Sequence, residues 1–297
     1  MTGATGLLTV PDGRVVDVYL GGDPDGFPLV MHHGTPSDAT TFADWHEACV
    51  SRRLRLVCVS RPGYATSTRL PGRLVANAAQ DTADVLDLLG CDAFLTAGWS
   101  GGGPHALACA ALLEDRCVGA ATLAGVGPYG VPDLDFLDGM GAENVDEFGA
   151  AVAGEPALRD WFAQFGEPFR TVTGDDIVAA FGGLVPQVDK DVLTGGYADQ
   201  MAAQTRRALA QGFDGWLDDD LAFTRDWGFD LGHITVPVTV WQGDLDLMVP
   251  FAHGHWLGHH LSTATKRLVP GHGHISLVTS YQDQILDDLL DSSPPTT

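Results

Sequence analysis

Short apolar runs that each break off in a glycine-bearing loop set the limits on what this chain can become. Pro28 to His32 runs into His33-Gly34-Thr35-Pro36, and Leu54 to Ser60 into Arg61-Pro62-Gly63-Tyr64. Ala93 to Ala97 runs into Gly98-Trp99-Ser100-Gly101-Gly102, and Cys117 to Ala124 into Gly125-Val126-Gly127-Pro128. Helical patterns lie between them: Leu74 to Leu89, closed by Gly90, and the alanine-rich Pro104 to Leu113. Buried strands alternating with helices predict an α/β class, a mostly parallel sheet flanked by helices. A hairpin around Pro11-Asp12-Gly13-Arg14 is predicted ahead of it. Such sheets bind ligands beyond the carboxyl ends of their strands, where these loops lie.

The pattern changes over residues 131–231. Strand runs vanish, and helical stretches rich in Ala, Asp and aromatics take over, among them Trp161, Phe162, Phe165, Phe169, Phe181, Trp216 and Trp227. So long an excursion predicts a helical insertion covering an active site. Strand grammar resumes at His233 to Gln242, which ends in Gly243-Asp244-Leu245-Asp246-Leu247-Met248-Val249-Pro250. A last strand near Lys266 to Val269 ends in Pro270-Gly271-His272-Gly273-His274, and one closing helix is predicted from about Ser276 to Asp291. The division is then a core of residues 1–130 and 232–297 with an insertion of 131–231.

Ser100 occupies a G-x-S-x-G pattern between strand and helix, a sharp turn that lifts its hydroxyl above the sheet edge. The pattern alone is weak, because 37 of the 297 residues are glycine. A serine nucleophile also needs a base, and the base an orienting carboxylate. On parallel sheets these follow in the order Ser, Asp, His. The residues leave Asp244 or Asp246 as the acid and His272 or His274 as the base, each just past a predicted strand.

Taken together, His33-Gly34-Thr35-Pro36, Arg61-Pro62-Gly63-Tyr64, Gly98-Trp99-Ser100-Gly101-Gly102, Gly243-x-x-Asp246-x-x-Val249-Pro250 and Gly273-His274 resemble the α/β-hydrolase fold family over essentially the whole chain. The resemblance implies a helical cap and selects Asp246 and His274 as partners of Ser100. It implies an oxyanion hole made by the backbone N–H groups of Thr35 and Gly101. A Ser nucleophile departs from the Asp of the haloalkane dehalogenase and epoxide hydrolase branches. The chain is also loosely similar to proline-iminopeptidase-like members, although Thr35-Pro36-Ser37 replaces their His-Gly-Gly-Pro-Gly loop. The expectation is a serine hydrolase of small to medium, mainly apolar esters or lactones, acting through an acyl-enzyme on Ser100 and needing no cofactor. The alternatives are an aminopeptidase or amidase, a C–C bond hydrolase, an acyltransferase, or a non-enzymatic ligand-binding member. Trp99, Tyr129, Met248 and Ile275 flank the motif loops and are expected to line the acyl pocket.

Other residues carry competing readings. Glu143, Glu147, Glu155 and Glu167 could bind a substrate amine; the plainer reading is solvated surface charge. His253, His255, His259 and His260 are read as exposed residues of a surface helix and not as a metal site, since no H-E-x-x-H or cysteine pattern joins them. His33 is read as bracing the oxyanion loop and Arg61 as anchoring its own turn. Five cysteines without a C-x-x-C pair read as reduced, buried thiols. A net charge of −23 repels nucleic acid and anionic membranes. The absence of a basic, then apolar, leading segment and of a spanning apolar run fits a cytoplasmic protein. The partner expected is a small acyl substrate, with an apolar face of the insertion leaving a homodimer contact open.

Overall fold

The computed structural model describes residues 3–181 and 184–292. Eight strands form one sheet: β1 (Ala4–Thr9), β2 (Val15–Gly22), β3 (Phe27–His32), β4 (Leu54–Val59), β5 (Phe94–Trp99), β6 (Cys117–Leu123), β7 (Val238–Gly243) and β8 (Ala264–Val269). Their order is β1-β2-β4-β3-β5-β6-β7-β8, and only β2 runs against its neighbours. Helices α1 (His46–Ser51), α2 (Asn77–Leu88) and α3 (Gly103–Leu112) connect the central parallel strands.

Each central strand divides its side chains between two cores. Leu29 and Met31 of β3, with Leu54, Leu56 and Cys58 of β4, join one core. Val30, Val57 and Val59, on the alternate positions, join the other. That two-residue period is what a strand covered on both faces demands. Each such aliphatic side chain removed from water contributes about 1.5–3 kcal/mol. The five cysteines are free and buried among these groups. Burial raises the thiols of Cys49 and Cys109 to about 12, which makes them inert at neutral pH.

Between β6 and β7 the described residues form helices and no strand. These are α4 (Ala142–Ala153), α5 (Glu155–Phe165), α6 (Gly174–Ala180), α7 (Gln187–Val192), α8 (Gly196–Ala208) and α9 (Asp214–Phe223). Phe162, Leu158, Leu209, Trp216 and Leu221 give this segment a cluster of its own, into which Tyr64 of the sheet's loops inserts. After β7 comes α10 (Phe251–His260), and after β8 come α11 (His274–Ser280) and α12 (Gln282–Ser292).

Two of the differences from the predicted elements have a clear physical reason. The strand before Gly243 begins at Val238 and not at His233, because Pro237 has no N–H to give the ladder. The single closing helix is two, broken at Tyr281, whose ring turns onto those of Trp241 and His272.

Candidate active site

Ser100 lies between β5 and α3 in the left-handed region, with φ of 56°. A non-glycine residue there is strained and needs surroundings that hold it. Glycines make the turn tight enough. A side chain on Gly98 would run into the Gly102 carbonyl, and one on Gly102 into that of His32. Gly101 abuts the Thr35 side chain, whose Oγ1 would stand 2.5 Å from an added Cβ. The His105 ring donates through Nδ1 to the Gly101 carbonyl at 2.8 Å, fixing the peptide that follows the serine.

His274 opens α11 and is buried. Its Nδ1 donates to Asp246 Oδ2 at 2.8 Å, so Nε2 is left free to take a proton. Trp99 Nε1 donates to the His274 carbonyl at 3.2 Å, and its ring lies 5.2 Å from the imidazole. Asp246 is equally fixed. Its Oδ1 accepts the Met248 and Val249 amides, both at 2.9 Å, and its Oδ2 also accepts Gln242 Nε2 at 3.2 Å. Burial opposes charging of His274, but Asp246 and, behind it, Asp189 hold the imidazole above its ordinary range. The other two candidates stand aside. Asp244 is exposed and accepts the Gly271 amide at 2.7 Å as a turn carboxylate. The His272 ring bonds the Pro270 carbonyl at 3.1 Å.

The loop after β3 is held by a buried ionic cluster. Arg61 donates to the carbonyls of His33 (2.5 Å) and Gly34 (3.0 Å) and to Thr35 Oγ1 (3.0 Å). It also pairs at 2.6 Å with Asp219 of α9, which is fully buried. Asp219 gathers Arg73 at 2.6 Å, Thr35 Oγ1 at 2.7 Å and the Tyr64 hydroxyl at 2.8 Å as well. Burial works against its charge, but the two guanidiniums hold its carboxyl well below the usual range. Arg61 therefore does more than anchor its own turn. His33 donates to the Gly34 carbonyl at 2.7 Å and accepts the Arg61 amide at 3.1 Å, bracing the same loop.

These loops open onto a cavity of about 430 Å³, lined on the sheet side by Gly34, Thr35, Ser37, Trp99, Ser100, Met248, His274 and Ile275. The helical segment supplies the other wall, mainly from Trp161, Phe165, Phe169, Ile177, Phe181, Leu184, Met201 and Trp216. Tyr129 corrects the expected lining. It packs edge-on against Phe136, 5.5 Å away, and does not reach the cavity. Glu147 corrects the reading of solvated charge. It is buried in the cavity wall and accepts Trp216 Nε1 at 2.6 Å. Burial raises its carboxyl to about 7, and Asp220 beside it is raised further by burial and by Glu147. Glu143 also borders the cavity, whereas Glu155 and Glu167 pair with Arg159 and Arg170 on the surface.

Among the four histidines of α10, His255 and His259 lie against each other as exposed, tilted rings, their centroids 4.2 Å apart. His253 departs from that reading. It is fully buried, accepts the Gly127 amide at 3.0 Å and donates to the Phe136 carbonyl at 3.0 Å. Among the described residues no group of three or more His, Cys, Asp or Glu is placed to hold a metal ion, and no helix is long and apolar enough to cross a membrane. Asp189, Asp219 and Gln242 were not foreseen as site residues. The one signal in the sequence was the Asp218-Asp219-Asp220 run set between apolar neighbours.

The sequence is 27% identical over 289 residues to the non-heme chloroperoxidase of Streptomyces lividans, across 96% of this chain and 98% of that protein. A bromoperoxidase from Bacillus anthracis superposes with a TM-score of 0.71 at 19% identity, over 97% of this chain and all of that one. An esterase from Exiguobacterium antarcticum does so with a TM-score of 0.68 at 19% identity, over 97% and 98% of the two chains. Residues 28–281 match the family described as the alpha/beta hydrolase fold, which spans every loop of this site. The chain belongs to the α/β-hydrolase fold family of enzymes.

Proposed function

We propose that the protein is a serine hydrolase of carboxylic esters or lactones, with Ser100, His274 and Asp246 as its catalytic triad. The observation that carries this is the strained Ser100 turn opening onto the same cavity as an imidazole fixed by a buried carboxylate. Ser100 Oγ attacks the acyl carbonyl while His274 Nε2 takes its proton. Asp246 keeps the proton on Nδ1 and stabilises the imidazolium. The amides of Thr35 and Gly101 receive the oxyanion, a contribution of about 3–4 kcal/mol per donor. His274 returns the proton to the leaving alcohol and then activates water against the acyl-enzyme, which frees the acid and restores Ser100.

The helical segment acts as a cap. Its aromatic wall supports small to medium, mainly apolar acyl or alcohol groups. Among the described residues the cavity lining holds no lysine or arginine, so a carboxylate on the substrate finds no counterion. The identity to a chloroperoxidase supports a second use of the same acyl-enzyme. Hydrogen peroxide in place of water would release a peracid and restore the serine. A panel of p-nitrophenyl acyl esters, run beside aminoacyl p-nitroanilides and with peroxide as competing acceptor, tests these readings. Ester turnover that vanishes in Ser100→Ala is expected. Full activity of Ser100→Ala on the substrates turned over would sink the assignment.

A further inference from the structure

His274 opens α11, and the residue before it, Gly273, has no side chain to satisfy the amides that follow. Those amides are met from the cap. Asp189, on α7 and fully buried, accepts the Ile275 amide at 3.1 Å on Oδ2 and the Ser276 amide at 2.8 Å on Oδ1. Ser276 Oγ in turn accepts the Gly273 amide at 2.9 Å. The approach requires a glycine. A Cβ on Gly273 would lie 2.5 Å from Asp189 Oδ2 and 2.6 Å from Pro186 Cγ.

We infer that Asp189 is a positioning residue for His274, a second carboxylate that the cap supplies to fix the backbone carrying the base and to stabilise its imidazolium. The inference rests on His274 being the base of the proposed reaction. Burying a carboxylate costs several kcal/mol, and amide hydrogen bonds offset only part of that. Among the described residues no lysine or arginine pairs with Asp189, so its charge is not spent on a structural ion pair. Asp189 acts on the charge of His274, which it helps to hold above the ordinary imidazole range. The groups facing the imidazole are Asp246 from the loop after β7, Asp189 from α7, and Trp99 and Ser100 from β5 and its turn. The two carboxylates act in the same direction, and among the described residues no cation opposes them. The base is therefore fully prepared only when α7 is seated, which makes docking of the cap a condition of catalysis.

The test compares Asp189→Asn and Asp189→Ser with the unchanged enzyme, using pH profiles of kcat and kcat/KM on the best p-nitrophenyl ester and thermal melting. A fall in kcat of about tenfold or more with KM changed less than about threefold is expected, as for a misplaced catalytic group. The acid limb should move to lower pH, because removal of a negative charge lowers the pH at which His274 loses its proton. Fluorophosphonate labelling of Ser100 should slow in parallel. An unchanged acid limb in a folded variant would overturn the inference, as would failure of both variants to fold, which would assign Asp189 to the fold alone. Neither result touches the serine reading, which fails only if Ser100→Ala turns over ester at the parent rate.

Discussion

Buried carboxylates at the sheet edge and in the helical segment are held in opposite ways. Asp246 is fixed by its own loop, through the amides of Met248 and Val249 and the Gln242 side chain. Asp219 and Asp189 reach out of the helical segment to groups far away in sequence. Asp219 bonds Thr35, 184 residues earlier, and Asp189 bonds Ser276, 87 residues later. Even neighbours differ. Asp219 is held ionised by Arg61 and Arg73, whereas Asp220, one residue on, faces Glu147 with no arginine at hydrogen-bond distance. The sheet edge holds its carboxylate locally, and the helical segment holds its carboxylates at long range.

The largest expected break in this comparison is at Ser100. Ser100→Ala should cost kcat about 10⁴-fold or more on any ester turned over, read by steady-state kinetics at equal protein concentration. It should leave melting nearly unchanged, because the hydroxyl stands in the cavity. Asp246→Asn should lose about 10⁴-fold in kcat, while Asp244→Asn stays within about twofold. The reverse order would transfer the acid role to Asp244.

Asp219→Ala should act on the fold instead. It leaves two arginines buried without a counterion, a loss of about 3–5 kcal/mol measured by urea unfolding. The pH dependence of kcat/KM sharpens the local side. Asp246 holds His274 above the ordinary imidazole range, so the acid limb of the unchanged enzyme should lie above that range and move down in Asp246→Asn.

The smallest effect concerns Glu147, raised from 4.5 to about 7 in the fold. Between those values the folded protein binds more protons than the unfolded chain, so stability should fall as pH rises through that window. Glu147→Gln removes the penalty, still accepts from Trp216, and should stabilise the protein at pH 8 by about 1–3 kcal/mol, with little change at pH 4. A melting curve of Glu147→Gln that tracks the parent at both pH values would contradict a Glu147 carboxyl raised by burial.

How much of this was legible follows from the same contrast. The sheet could be read because each strand is a contiguous apolar run and each turn carries its own glycine, as at Gly98 and Gly102. Asp246 was separable from Asp244 only through the resemblance. Their surroundings differ in burial, which spacing alone does not reveal. The helical segment's polar contacts were illegible because their partners lie elsewhere in the chain. Glu147 reads as surface until Trp216 is folded over it, and Arg61 reads as a turn residue until α9 brings Asp219. His253 reads as one of four surface histidines until Gly127 and Phe136 close around it.

The Asp219 cluster also bears on how such enzymes can be changed, by selection or by design. A foreign helical segment grafted between β6 and β7 would arrive without its acid, stranding Arg61 and Arg73 and releasing the loop that carries Thr35. New substrate pockets should therefore be sought among the apolar positions of α5 and α6, such as Phe165 and Ile177, which border the cavity and carry no part of this cluster. The helix bearing Asp219 has to be inherited together with the sheet.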